Sequence, residues 1–137
     1  MGSSSGTDGW YRLATGVGRV VLRGLRLTTR WEGLEHLPTR GPVILAATHV
    51  SYPDFVFIQR AAGETGRRVR YMCRHDVWHN RWVARPMDRM RHIPVDRQAP
   101  AAAYLAARRL LGQGEAICAF PEAGVSFSYT VRPLMRG

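Results

Sequence analysis

The sequence predicts an α/β fold in which a largely parallel sheet is flanked by helices. Short apolar runs of strand length alternate along the chain with longer segments of helical character. The 137 residues and the hydrophobic fraction of 45% suffice for one hydrophobic core. Polar motifs follow three of the apolar runs, and ligands of parallel sheets collect at the carboxyl ends of the strands. We therefore expect these motifs to converge on one site.

The main domain is predicted at residues 31–137, with four strands that alternate with three helices. The strands are expected at residues 43–47, 70–73, 93–95 and 116–120. The helices are expected at residues 55–62, 76–90 and 100–111, and Pro86 breaks the second of them.

A basic amphipathic helix is predicted at residues 10–30, and residues 1–9 are expected to form a disordered leader. The apolar residues of this helix follow helical spacing, while its arginines occupy an arc of about 60° on the other side. The apolar residues are Trp10, Leu13, Ala14, Val17, Val20, Val21 and Leu25, and the arginines are Arg12, Arg19, Arg23, Arg26 and Arg30. One interpretation is a membrane-docking helix with its guanidinium groups toward anionic headgroups. The other is a surface helix that packs its apolar stripe on the domain.

The charge balance predicts acidic partners. Twenty basic residues, all of them arginine, stand against ten acidic ones, which gives a formal net charge of +10. Nucleic acid, anionic lipid headgroups and phosphorylated substrates are all attracted to such a surface. The two cysteines, Cys73 and Cys118, show no C-x-x-C spacing, which is typical of a reduced, cytosolic chain. No apolar run approaches the roughly eighteen residues of a membrane span.

The most informative motif follows the first strand and reads Thr48-His49-Val50-Ser51-Tyr52-Pro53-Asp54. We expect Ser51 to cap the next helix, so that Asp54 lies at its third position and turns back toward the His49 ring. A carboxylate that fixes the tautomer of an imidazole makes it a general base for a hydroxyl. The alternative is an ordinary capping box beside a polar strand end.

Two further motifs follow later strands. Ile93-Pro94-Val95-Asp96-Arg97 ends in a guanidinium suited to a bidentate phosphate contact, although this motif taken alone is explained better by a salt-bridged strand end. Ala119-Phe120-Pro121-Glu122-Ala123-Gly124-Val125-Ser126 places one acidic residue in a tight turn. Turn chemistry alone would also explain its Pro and Gly.

In this order the three motifs, H-x-x-x-x-D, I-P-V-D-R and F-P-E-x-G-x-S, resemble the first three conserved blocks of the lysophosphatidic acid acyltransferase family of glycerolipid acyltransferases. The resemblance implies that His49 is the general base and Asp54 its partner. It also implies that Arg97 binds the phosphate of the acceptor lipid. The remaining substrate-binding residues would be Ser51, Phe120, Pro121, Glu122 and Gly124, with Glu122 and Gly124 on the acceptor side.

The implied reaction moves a fatty acyl group from acyl-CoA or acyl-carrier protein to the hydroxyl of a lysophospholipid, as in phospholipid biosynthesis. Beyond this thioester co-substrate, no cofactor and no metal are expected, and no nucleic-acid partner. The resemblance also implies peripheral attachment to an anionic membrane surface, on the cytoplasmic, inner face of the cell membrane.

The sequence departs from the family pattern in three places. Thr48 replaces the usual Asn before the histidine, and Ala123-Gly124-Val125 replaces the usual G-T-R of the third block. The family normally continues through a further strand with a V-P-containing block, whereas this chain ends at Gly137. We therefore expect an incomplete acyltransferase domain with an exposed sheet edge, and an inactive fragment is one alternative.

Two other kinds of site are open on the residues alone. His75 and His79 are four apart on a predicted helix, as zinc ligands often are, but no H-E-x-x-H motif or clear third ligand accompanies them. Tyr71, Trp78 and Trp82 lie among arginines, which is compatible with a nucleic-acid or anionic-surface binding module. That module would bind without catalysis.

Overall fold

The computed structural model describes residues 4–126, 128 and 130–135, with side chains described from residue 9 onward. The elements are α1 (Ser4–Gly24), β1 (Val43–Ala46), α2 (Asp54–Glu64), β2 (Val69–Arg74), α3 (Arg81–Arg89), β3 (Ile93–Val95), α4 (Ala101–Gly112) and β4 (Ala116–Ala119). Short 3-10 helices cover Leu34–His36 and His75–His79. The predicted α/β class is confirmed.

The four strands form a sheet in the order β1-β4-β2-β3, in which every pair of neighbours is parallel. Ile117 of the central strand β4 pairs with Ile44 of β1 on one side and with Arg70 of β2 on the other. Parallel neighbours need crossover connections, which α2, α3 and α4 supply. All four strands therefore present their carboxyl ends at the same edge of the sheet.

Helices cover both faces of this sheet. On one face, Val69 and Cys118 form a buried cluster with Ala62 of α2. On the other face, Ile117 forms a second cluster with Leu110 of α4. Burial on both faces explains why β2 and β4 carry apolar side chains at consecutive positions.

α1 docks on the domain through a narrow stripe. Tyr11 and Leu22 are buried, and the Tyr11 hydroxyl donates to the Val69 carbonyl at 2.6 Å. Gly18 lies between them on the same face, and a Cβ at this position would lie 3.2 Å from Val56 Cγ1. Glycine therefore lets α1 approach α2 closely.

The apolar stripe that the sequence emphasises points away from the domain. Leu13, Val17, Val20 and Val21 are 50–69% exposed. At 100° per residue, the α1 arginines lie between this outer stripe and the inner one. The interpretation in which this stripe packs on the domain is therefore wrong.

The bounds of α1 differ from the predicted residues 10–30. The helix begins at Ser4, within the expected leader, and ends at Gly24. Its end is a Schellman motif: Arg26 has a φ of 54°, and Leu27 N–H donates to the Leu22 carbonyl at 2.9 Å. The left-handed residue at position 26 stops the helix before the last predicted turn.

The predicted helix at residues 76–90 is two elements. The 3-10 helix His75–His79 comes first, and α3 then begins with Asn80 as its N-cap, which accepts a hydrogen bond from Trp82 N–H at 3.0 Å. An asparagine N-cap satisfies an N–H group that the helix itself leaves unpaired. The break therefore falls at Asn80, six residues before Pro86. Pro86 itself lies inside α3 and does not interrupt it.

Candidate active site

The first and third motifs meet where β1 and β4 end. Ala47 N–H donates to the Ala119 carbonyl at 3.1 Å, which extends the strand pairing by one step. Beyond it, Ser126 N–H donates to the His49 carbonyl at 2.6 Å. The turn after β4 is thus fastened to the backbone of the histidine that follows β1.

His49 and Asp54 form the expected pair. His49 Nδ1 lies 2.9 Å from Asp54 Oδ2, and the Asp54 side chain is 11% exposed. The same oxygen accepts hydrogen bonds from Val50 N–H at 2.8 Å and Ser51 N–H at 3.0 Å, and Oδ1 accepts a short one from the Ser51 hydroxyl. The carboxylate is therefore held by the loop between β1 and α2 as well as by the ring.

These hydrogen bonds favour the ionised form of the Asp54 carboxyl. Burial raises the pKa of its carboxyl, but hydrogen bonds from Ser51, His49 and the main chain outweigh burial, so that the pKa lies below its ordinary value. An ionised Asp54 favours the tautomer of His49 with its proton on Nδ1. His49 Nε2 is then left with a lone pair that can accept a proton.

Ser51 does not have the predicted capping role. α2 begins at Asp54 with Pro53 as its N-cap, so that Asp54 lies at the first helical position instead of the third. From there its side chain reaches back over the turn to residues 50 and 51, whose N–H groups it accepts. Ser51 supports the carboxylate rather than the helix end.

The third motif surrounds His49 on its other side. The Phe120 ring stacks on the imidazole, with ring centroids 4.4 Å apart and 29° between the planes. Glu122, 5% exposed, accepts a hydrogen bond from His49 N–H through Oε1 at 3.2 Å. Pro121 accepts one from Met135 N–H at 2.9 Å. This turn therefore fixes the backbone and the ring plane of the histidine.

Arg97, from the second motif, reaches the same turn. Its side chain is exposed, and Nη2 donates to the Ala123 carbonyl at 2.5 Å. Asp96 accepts instead from Gln98 N–H at 2.9 Å, and the ion pairs found among the described residues include neither Asp96 nor Arg97. The alternative of a salt-bridged strand end is thus not what the structure shows.

A cavity of about 1230 Å³ connects these residues. His49 and Arg97 line it, and α1 and α2 contribute apolar side chains together with charged ones, among them Arg19 and Arg60. Gly124 also lies on its wall, whereas the carboxylate of Glu122 is turned into the main chain. The lining therefore combines a proton acceptor, guanidinium groups and apolar side chains.

Sequence reasoning missed Arg132, which contacts the turn of the third motif. The main-chain N–H of Arg132 donates to Glu122 Oε2 at 2.8 Å, and its guanidinium lies against Gly124. It comes after the third motif, outside every spacing pattern, in a protein with nineteen other basic residues. The sequence carries no signal that distinguishes it from them.

The zinc site suggested by His75 and His79 gains no third ligand among the described residues. In the part of the chain that the structure describes, no three His, Cys, Asp or Glu side chains lie close enough together to hold a metal ion. The His75 and His79 rings contact each other edge to face, with centroids 5.8 Å apart. Within the same part, no helix combines the length and apolar character that crossing a membrane requires.

The protein is thus an α/β protein with a histidine–carboxylate pair at the carboxyl edge of a parallel sheet, beside a large cavity. Such a pair is chemically suited to accept a proton from a hydroxyl. The chain belongs to the Acyltransferase family, whose sequence model matches residues 28–137. It is 27% identical over 128 residues to the 1-acyl-sn-glycerol-3-phosphate acyltransferase of Bacillus subtilis (strain 168). That alignment covers 93% of this chain and 62% of the relative, so that the chain spans about three fifths of its length. No solved structure matches the chain.

Proposed function

We propose that this protein transfers a fatty acyl group from an acyl thioester to the hydroxyl of a lysophospholipid such as 1-acyl-glycerol-3-phosphate. The observation that carries the proposal is the His49–Asp54 pair, at 2.9 Å, with its ring on the wall of the cavity. Family membership supports acyl transfer, and the name of the Bacillus subtilis relative supports this class of acceptor.

The chemistry needs one proton acceptor and no covalent enzyme intermediate. His49 Nε2 takes the proton of the lipid hydroxyl as its oxygen bonds to the thioester carbonyl carbon. The tetrahedral intermediate collapses by breaking the C–S bond, and the thiolate that leaves takes the proton from the imidazolium. The products are an ester and a free thiol. Asp54 stabilises the imidazolium, a contribution of about 10²–10⁴ in rate for such proton transfers.

The lining of the cavity suits both substrates. Arg97 lines it together with His49, and its guanidinium can bind the phosphate of the acceptor through charged hydrogen bonds. Apolar side chains of the lining, such as Val56 and Met72, suit a fatty acyl chain. The carrier of the acyl group is either coenzyme A or acyl-carrier protein, and no other cofactor is required.

The outer surface of α1 suits the interface of an anionic membrane. Its exposed apolar stripe includes Val17 and Val20, and Arg12, Arg19 and Arg23 flank that stripe. A helix that lies in the interface buries apolar side chains and places its arginines near headgroup phosphates. Because α1 also lines the cavity, docking there would bring the cavity close to its lipid substrates. We propose a peripheral position on the inner face of the cell membrane.

The reaction is tested by following release of free thiol. Lysophosphatidic acid is supplied as the acceptor, and acyl-CoA and acyl-carrier protein are compared as donors. The proposal predicts thiol release that requires the acceptor and yields phosphatidic acid in equal amount. Release without the acceptor would indicate a thioesterase. No release from either donor, with salt-sensitive binding to nucleic acid, would favour a binding module.

A further inference from the structure

Arg132 contacts the turn after β4 with both its main chain and its side chain. Its N–H donates to Glu122 Oε2 at 2.8 Å, and Nη1 approaches the Val125 carbonyl at 3.5 Å. A Cβ built on Gly124 would lie 2.8 Å from that Nη1, closer than real side chains come. In this arrangement the Arg132 guanidinium occupies the space that a side chain at Gly124 would take.

A second guanidinium reaches the same turn from β3. Arg97 Nη2 donates to the Ala123 carbonyl at 2.5 Å, so that Arg97 and Arg132 contact neighbouring residues. Both side chains are exposed. Each guanidinium carries five N–H donors, and each uses a single nitrogen in its contact with the turn. Donors remain on both for a ligand.

The Glu122 carboxylate forms no ion pair with these arginines. Glu122 is 5% exposed, and its two oxygens accept the main-chain N–H groups of His49 and Arg132. None of the ion pairs found among the described residues involves Arg97 or Arg132. Arg97 lines the cavity and Arg132 contacts Gly124 on its wall, so that two positive charges lie close to this turn without a counter-ion from the described residues.

We propose that Arg132 is a second phosphate-binding residue that acts with Arg97 and selects acceptors with a phosphate monoester. This inference rests on the proposed acyl transfer. A phosphate monoester carries close to two negative charges at neutral pH and three acceptor oxygens, which matches two guanidinium groups better than one. Arg132 recognises the acceptor, whereas the proton transfer belongs to His49.

The test compares Arg132→Gln, Arg132→Lys and the control Arg108→Gln, which removes an exposed arginine of α4 remote from this turn. Each protein is assayed with lysophosphatidic acid and with monoacylglycerol of the same chain length. For Arg132→Gln we expect kcat/KM for lysophosphatidic acid to fall about 10- to 100-fold, mainly through KM, as for loss of a charged hydrogen bond. Monoacylglycerol turnover should be unchanged, Arg132→Lys should recover part of the loss, and Arg108→Gln should behave as wild type.

Equal losses with both acceptors, or no loss with lysophosphatidic acid, would overturn the inference. Equilibrium binding of lysophosphatidic acid to the same proteins separates this inference from the proposed reaction. If wild type binds the lipid but releases no thiol, the proposed reaction fails, and weaker binding by Arg132→Gln still supports the phosphate contact. Equal binding by wild type and Arg132→Gln, or no binding by wild type, overturns it. Thermal unfolding midpoints check that each variant is folded as stably as wild type.

Discussion

The Asp54 carboxylate connects the reactive ring to the loop that carries it. Oδ2 accepts from His49 Nδ1 and from two main-chain N–H groups, while Oδ1 accepts from the Ser51 hydroxyl. The pKa of this carboxyl lies below its ordinary value, so that Asp54 is ionised at every pH at which an imidazole can act as a base. Asp54 thus sets both the orientation of the His49 ring and the negative charge beside that ring.

Asp54→Asn should lower kcat strongly with little change in KM. The amide keeps the size of the side chain but no longer stabilises the imidazolium, and it can favour the wrong His49 tautomer. The loss expected from comparable pairs is about 10²–10⁴ in kcat. Thiol release under saturating substrates measures it, and the unfolding midpoint controls for damage to the loop. An unaltered kcat would show that Asp54 has a structural role only.

His92 should make the free energy of unfolding depend on pH. Burial, together with the Arg70 charge, lowers the pKa of His92 to about 4, and its Nδ1 accepts Tyr71 N–H at 3.0 Å. The unfolded chain takes up the proton near pH 6.5 and the folded chain near pH 4, so that stability is full above pH 6.5 and declines as the pH falls between these values. We expect a loss of about 2 kcal/mol by pH 5 and about 3 kcal/mol by pH 4.

Urea unfolding at pH 7 and at pH 5 measures this effect. His92→Asn keeps an acceptor for Tyr71 N–H but does not titrate, and it should therefore show a smaller loss between the two pH values. Asp54 does not interfere, because the stability gained from its lowered pKa is lost only below about pH 4. The same pH dependence in wild type and His92→Asn would exclude His92 as its origin.

At the level of the elements, all four α-helices end in Schellman motifs with a residue at positive φ. Glycine occupies this position after α2 and α4, at Gly66 and Gly114. Arginine occupies it after α1 and α3, at Arg26 and Arg91, although a Cβ disfavours this conformation. Arg91 has a compensating role, since its guanidinium binds Glu115 at 3.0 Å. Arg26 is exposed and has no carboxylate among the ion pairs of the described residues.

Arg26→Gly should therefore stabilise the end of α1. Removing the Cβ at a φ of 54° relieves the strain, and we expect a gain of about 0.5–1 kcal/mol in the free energy of unfolding. Arg91→Gly is the matched comparison and should destabilise the protein, because it also breaks the bond to Glu115. Denaturant titration reports both values. A loss of stability in Arg26→Gly would mean that the arginine side chain contributes more than its backbone costs.

The outer stripe of α1 should bind anionic vesicles. Val20 is 69% exposed on α1, and Leu105 is 60% exposed on α4, so that the two offer comparable apolar side chains on different surfaces. Val20→Asp should reduce cosedimentation with phosphatidylglycerol vesicles about tenfold, because a charge enters the apolar side of the interface. Leu105→Asp should leave it unchanged. Equal effects of the two substitutions would argue for nonspecific attraction by the net charge.

For the whole molecule, the sheet and the main site residues could be predicted because they follow local patterns. Buried parallel strands read as apolar runs, and the carboxyl edge of the sheet brings His49, Arg97 and Glu122 together. Which face of α1 packs on the domain could not be predicted, because the apolar residues of both faces have helical spacing. α1 contacts the domain through the hydrogen bond of Tyr11 to the Val69 carbonyl and through the close approach of Gly18 to Val56. Both contacts depend on tertiary packing.

Other details of the site depend on side-chain choices that spacing does not determine. Ser51-x-x-Asp54 satisfies the pattern of a capping box, yet the helix begins at Asp54 and the carboxylate reaches backward. Arg132 reaches the site through a chain segment without regular structure, which no periodicity describes. In both cases the sequence does not determine which hydrogen-bond partner the polar side chain finds in the folded protein.

The central claim is that His49 removes the proton from the acceptor hydroxyl. The measurement that tests it most directly is the initial rate of ester formation by wild type and His49→Ala, with the same thioester and lysophosphatidic acid. His79→Ala, on the exposed 3-10 helix, is the matched control. We predict a fall of at least about 10² in kcat for His49→Ala, unchanged thermal unfolding, and wild-type activity for His79→Ala. Ester formation that does not depend on His49 would contradict the account.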